Sequence, residues 1–245
     1  MIKTIKISVF LLIIMIFYTI FTGLPVFCND ISIKPLASGD VSRLAKDLNS
    51  LVSFRQAGPS EPAGLLGFEL KPLVNFVDSD NDLVWNNALS GGAPGNLTAP
   101  QLIVTKGLPF KADLSARAGK ILDTDMDFMG GFLKYSILEG SMLTPALSIG
   151  GGYTKITGAS DFDASLYEAQ ISLSKGLANF TPYAGVSWSR IKLTPAASTG
   201  HSEVEDDQVR SFAGFRFSFL PMAWMNLEYG KGDSSSLAAS FSIGF

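Results

Sequence analysis

The chain has 245 residues, of which 47% are hydrophobic and 17% charged, with a formal charge of -3. That balance leaves no basic surface for nucleic acid, and a lone cysteine, Cys28, excludes an intramolecular disulfide framework. The length suits a single large all-β domain.

Lys3 and Lys6 precede the apolar run SVFLLIIMIFYTIF, and the helix-breaking Gly23 and Pro25 follow it. A basic start, an apolar stretch and a breaker describe a secretory signal peptide over residues 1–28, cut before Asn29. An uncleaved membrane anchor and a lipoprotein acylated at Cys28 are the competing readings, the second disfavoured by the bulky Phe27. In each case the chain is exported.

Residues 29–62 read as an N-terminal periplasmic segment, extended to about residue 39 and then helical. In DVSRLAKDLNSLVSF, Val41, Leu44, Ala45, Leu48, Leu51 and Val52 recur at helical spacing, with Asp40 placed to cap the first turn. The breaker-rich QAGPSEPAG ends the helix. Periodicity does not name the surface that the apolar face covers. The helix is expected against the periplasmic end of the following domain, with a plug inside it or a helix in a membrane interface as alternatives.

From residue 63 onward the period is two. Ten strands are predicted, at 64–77, 99–108, 110–121, 127–138, 143–157, 163–175, 180–193, 207–220, 222–231 and 235–245. Tyr167, Ala169, Ile171 and Leu173 oppose Glu168, Gln170, Ser172 and Ser174, and the other strands follow suit. Alternation is poor in 99–108 and near the end of 180–193. Eight and twelve strands remain open alternatives. Connections alternate between long polar ones (DTDMD, TPAASTGHSEVEDDQ) and short ones (LPF, LPM), the asymmetry of a transmembrane barrel with short periplasmic turns and long outer loops. Residues 63–245 are therefore expected to form an all-β, up-and-down antiparallel transmembrane barrel in the bacterial outer membrane.

The sequence ends on SLAASFSIGF, alternating up to its last residue, as a strand that must pair with the first to close a barrel would be. Tyr229, Phe241, Ile243 and Phe245 resemble the terminal signal that the barrel-assembly machinery reads in outer-membrane proteins. The stretches GPSEPAGLLGFEL, KGLPFKADLSARAG, LKYSILEG, TPALSIGGGYTKITG and SKGLANFTPYAGV are similar to those of a family of small bacterial outer-membrane proteins without an assigned activity. The resemblance implies fold and location and carries over no catalytic residue.

Chemistry-bearing clusters are few. His201, the only histidine, neighbours Ser202, Glu203, Asp206 and Asp207, but adjacent residues on a loop are not a preorganised site. The runs Asp78, Asp80, Asp82 and Asp123, Asp125, Asp127 offer alternate carboxylates to a divalent cation bridging lipopolysaccharide, without an EF-hand framework. The inward faces are more informative. Glu69, Asp113, Glu168 and Glu228 are expected to balance Lys71, Lys111, Arg117, Lys134, Arg210 and Arg216 in a narrow interior. Outer-membrane lipids, lipopolysaccharide and the assembly machinery are the expected partners, with no catalysis, metal or cofactor. The lumen is expected to be largely closed by these charges, a narrow passive channel being the alternative and a lipid A-modifying enzyme the remote one.

Overall fold

The computed structural model describes residues 30–79, 82–89, 97–141 and 143–245; the expected signal peptide and its cleavage site lie outside them. The elements in chain order are α1 (Ser38–Val52), β1 (Phe68–Asp78), α2 (Asp82–Ala88), β2 (Leu97–Leu108), β3 (Ala112–Lys120), β4 (Asp127–Glu139), β5 (Ala146–Thr157), β6 (Phe162–Ser174), β7 (Phe180–Pro195), a short 3-10 turn (Ala197–Thr199), β8 (Val204–Leu220), β9 (Ala223–Lys231) and β10 (Ser235–Gly244). Each strand pairs antiparallel with its chain neighbours, and β1 pairs with β10 to close a ten-stranded barrel. Closure runs to the last residue: Phe68 and Phe245 exchange backbone hydrogen bonds of 3.0 and 3.1 Å.

Alternation decides which face meets which medium. Tyr167 is 50% exposed and the next residue, Glu168, 9%. Across strands, residues in register share a face, so Leu114 meets Leu133, Tyr153 meets Tyr167 and Met225 meets Phe217 on an exposed apolar exterior. The Tyr153 and Tyr167 rings lie 5.1 Å apart on it. A barrel that is polar inside and apolar outside is the inverse of a soluble one, and a belt of this kind matches lipid. The chain is an outer-membrane-type transmembrane β-barrel.

The ends differ as the linkers foretell. Residues 109–111, 140–141, 143–145, 175–179 and 221–222 lie at the short-turn end, and 79, 82–89, 121–126, 158–161, 196–203 and 232–234 at the long-loop end. Phe110 and Lys111 turn the β2–β3 hairpin with φ of 61° and 64°, the two positive values that a tight hairpin turn requires. Strand β1 starts later than expected because Gly64, at φ 78°, folds back so that Gly67 N–H reaches its carbonyl at 2.9 Å.

The helix takes the alternative placement of a plug and corrects the preferred one. It lies inside the barrel towards the long-loop end, not against the short-turn end. Its apolar face (Val41, Leu44, Leu48, Leu51) joins Ile31, Trp85, Leu97, Phe128, Ile156 and Leu193 in one buried cluster. Its polar residues reach the wall: Asn49 bonds Ser189 at 2.7 Å and Ser50 bonds Gln208 at 3.0 Å. Asp40 does not cap; it sits in the first turn and bonds Arg43 at 3.1 Å. The cluster also explains the poor alternation of β2 and β7. Leu97, Ala99, Ile191 and Leu193 are apolar yet face inward, against the helix.

Candidate functional site

Residues 53–63, SFRQAGPSEPA, leave α1 and continue through the lumen to the short-turn end without helix or strand pairing. A buried backbone in that state needs a partner for each polar group. The barrel wall supplies many of them with side chains. Phe54 N–H donates to Glu168 at 2.5 Å, Ala57 N–H to Glu228 at 3.1 Å, Ser60 N–H to Ser174 at 2.8 Å and Ala63 N–H to Asp113 at 3.0 Å. The carbonyls are met likewise. Gln56 accepts from Lys71 at 2.7 Å, Ser60 from Ser136 at 2.8 Å, Glu61 from Lys134 at 2.8 Å and Leu51 from Asn75 at 2.8 Å. Residues 38–63 are thus a strap threaded along the lumen.

The wall charges pair with each other while they hold it. Arg117 lies 3.6 Å from Glu168, Arg210 3.0 Å from Glu228, and Lys134 2.9 Å from Asp113. Glu69 takes Lys71 at 3.2 Å and Arg216 at 3.3 Å. Nine of the ten residues expected in the lumen are therefore there. Lys111 is not: it belongs to the β2–β3 turn and bonds Glu139 outside at 2.7 Å, which raises its pKa. The charged side chains share the lumen with the strap, whose backbone they hold. Three of the carboxylates each spend an oxygen on strap backbone.

Packing adds to the ladder. The Phe54 ring stacks on Phe132 of β4, with centroids 4.2 Å apart and planes 3° from parallel. Phe132 finds room because β5 carries glycines opposite it; a Cβ at Gly150 would lie 2.4 Å from its ring. Arg117 sits over the other side of this pair, 5.4 Å from the Phe54 centroid. The next residue is less well served. Arg55 is fully buried, and its Nε and Nη1 have no hydrogen-bond partner, only Nη2 reaching the Ser50 carbonyl. Arg55, Arg117 and Arg210 thus face only Glu168 and Glu228 in the middle of the lumen.

Below Phe54 the lumen opens into a cavity of about 230 Å³ at the short-turn end, lined by Glu69, Lys71, Asp113, Lys134, Arg216 and Trp224 among others. Strap residues from Phe54 to Ala63 line it too. Residues 53–63 of the strap escaped the sequence reading because they show neither period. What marks them is a prolyl, polar stretch containing Phe and Arg, and the triple glycine Gly150–Gly152 facing it from the wall.

The remaining candidates do not converge. His201 Nε2 lies 3.0 Å from the Ile33 carbonyl. Glu203 turns to Lys192, whose hydrogen bond holds its carboxyl below the usual range, and Asp207 turns to Arg190. Asp80 and the side chain of Asp82 lie outside the description, and among the described residues no group of three metal-ligating side chains gathers. Among the aromatic residues of the strands, Tyr153, Trp188, Tyr229 and Phe180 face outward, whereas Tyr183 points into the lumen. The expected assembly-signal residues Tyr229 and Phe245 are exposed, at 53% and 72%, and Phe241 and Ile243 are half-buried on the same face.

No family model matches the chain, and no curated protein matches it. Among solved structures it is similar to the KdgM porin (7% identity, 72% of this chain and 99% of that one, TM-score 0.39). The N-terminal β-barrel domain of Pseudomonas aeruginosa OprF is another (9%, 74% and 99%, TM-score 0.37). So is Ail, the attachment invasion locus protein of Yersinia pestis (11%, 73% and 97%, TM-score 0.34).

Proposed function

We propose that the chain is a sealed integral barrel of the Gram-negative outer membrane with a structural or surface-interaction role, its long loops outside. The observation that carries this reading is the strap. Residues 53–63 of the strap share backbone hydrogen bonds with wall carboxylates and ammonium groups along the lumen, Arg55 excepted, and the strap's helix α1 adds an apolar seal towards the long-loop end. Outer-membrane lipid and lipopolysaccharide would meet the exterior, and the terminal strand would address the chain to the assembly machinery. Planar-bilayer conductance tests the seal. The wild type should show no porin-like steps, and replacing both Arg210 and Arg216 by Ser should lower stability and admit current together. Porin-like steps in the wild type would overturn the sealed reading. They would favour a narrow passive channel, the role to which the polar cavity at the short-turn end gives most support.

A further inference from the structure

The direction in which the strap runs has a consequence for the topology of the whole chain. Strand β1 begins at the short-turn end, where Phe68 pairs with Phe245. The strap precedes it, and its anchors progress steadily along the wall. Ala63 is held by Asp113 beside the β2–β3 turn, Phe54 by Glu168 in mid-strand, and Asn49 by Asp206 near the start of β8. Residues ahead of α1 are clamped at the opposite end. Ile31 pairs with Leu89 in the β1–β2 connection. Asp161, in the β5–β6 loop, accepts from Ser32 Oγ at 2.6 Å and from Ile33 N–H at 2.9 Å. His201, in the β7–β8 loop, lies 3.0 Å from the Ile33 carbonyl. Three separate loops therefore fix the same short segment at the long-loop face, beyond which Lys34 is exposed.

The lengths agree with a full crossing. A helix of 15 residues rises about 22 Å at roughly 1.5 Å per residue. The extended residues that follow add more, against an apolar band about 25 Å tall.

We infer that the mature chain carries its own amino-terminal end through the barrel, so that Asp30 and whatever covalently precedes it are displayed on the outer face beside the long loops. The barrel is then a display anchor as well as a sealed wall. Asp161 and His201, which the sequence leaves without a role, are the latches of the exit. This inference rests on the proposed orientation of the barrel, and its test separates the two.

In a Cys28→Ser background, single cysteines are placed at Lys34, at Ser198 in a long loop and at Asn179 in a short turn. Intact cells are treated with a membrane-impermeant maleimide, and heat-modified migration confirms that each variant is folded. Lys34→Cys should label to the extent of Ser198→Cys, and labelling should be lost at Asn179→Cys until the cells are lysed. Protection of Lys34→Cys beside a labelled Ser198→Cys would overturn the threading. Labelling of Asn179→Cys with protection of both others would overturn the orientation, and surface display with it, while leaving the direction of the strap intact. An epitope inserted between Asp30 and Ile31 gives an independent reading should the cysteine background fail to export. Antibody binding to whole cells is expected, and binding only after lysis refutes the display.

Discussion

Replacing Glu168 by Gln isolates the central contact of the strap. Glu168 accepts the Phe54 N–H at 2.5 Å through one oxygen and faces Arg117 at 3.6 Å through the other. The two side chains are 5% and 1% exposed, so neither has bulk water to replace its partner. Breaking a buried pair of this kind costs about 3–5 kcal/mol, whereas an exposed pair is worth roughly 0–1 kcal/mol. Gln keeps an acceptor for Phe54 N–H, removes the charge and turns an NH2 donor towards Arg117. Arg117 would retain its hydrogen bond to Thr154 at 2.6 Å and its place over the Phe54 ring, but no counter-charge.

The expected loss for Glu168→Gln is therefore about 3 kcal/mol. Adding Arg117→Met should recover most of it, because removing both charges leaves a volume-matched apolar group in place of an unpaired ion. The coupling energy from the four-protein cycle should lie near the upper end of the ~0.5–3 kcal/mol range for contacting residues. Reversible urea unfolding in lipid vesicles, followed by tryptophan fluorescence, measures it. A loss below about 1 kcal/mol in the single variant would place the pair among solvated ones. It would refute the claim that strap and wall exclude water from the middle of the lumen.

Three further outcomes follow from the same geometry. Arg55→Met should stabilise the barrel by about 1–3 kcal/mol, since it removes buried donors that have no acceptor and leaves Arg117 and Arg210 matched to two glutamates; a lower unfolding midpoint would show that Arg55 has partners in solution. Gly150→Ala should cost about 1–3 kcal/mol by driving Phe132 off Phe54, and bilayer conductance should rise with it. Phe245→Ala should reduce folded protein in the outer membrane without reducing export, because it removes the terminal ring that lies against Phe68, 6.1 Å between centroids, while leaving the backbone closure of β1 on β10 in place; unchanged levels on a heat-modifiability gel would remove the support for a terminal signal.

The barrel was legible because its solvent is inverted. Alternation such as Tyr167–Glu168 or Leu227–Glu228 records lipid on one side and a polar lumen on the other, and strand boundaries followed to within a few residues. Where the lumen is itself apolar, the signal vanishes. Leu97, Ala99, Ile191 and Leu193 face the helix, so β2 and the end of β7 read as irregular. Lys111 was misplaced for a different reason: its left-handed φ belongs to a turn, and one residue of slip in register exchanges the two faces. The helix was visible, but its site was not. An amphipathic period states that an apolar surface is nearby and says nothing about which end of a barrel provides it.

Strand number explains why a strap is needed at all. Eight strands leave an interior just wide enough for side chains to fill, and each further strand widens it. At ten, the wall charges of this barrel are met by a threaded backbone as well as by one another. An extended segment is the complement such a lumen calls for, because each residue offers a donor and an acceptor that wall carboxylates and ammonium groups can meet. A second helix would satisfy its own backbone and leave those charges unmatched. The composition of residues 53–63 fits that demand. Pro59 and Pro62 carry no N–H, so the strap presents fewer donors than residues, and both prolines resist helix formation. The segment that looked like a linker ending a helix is therefore shaped by the lumen, and the ionic residues of the wall are arranged around a backbone as much as around one another.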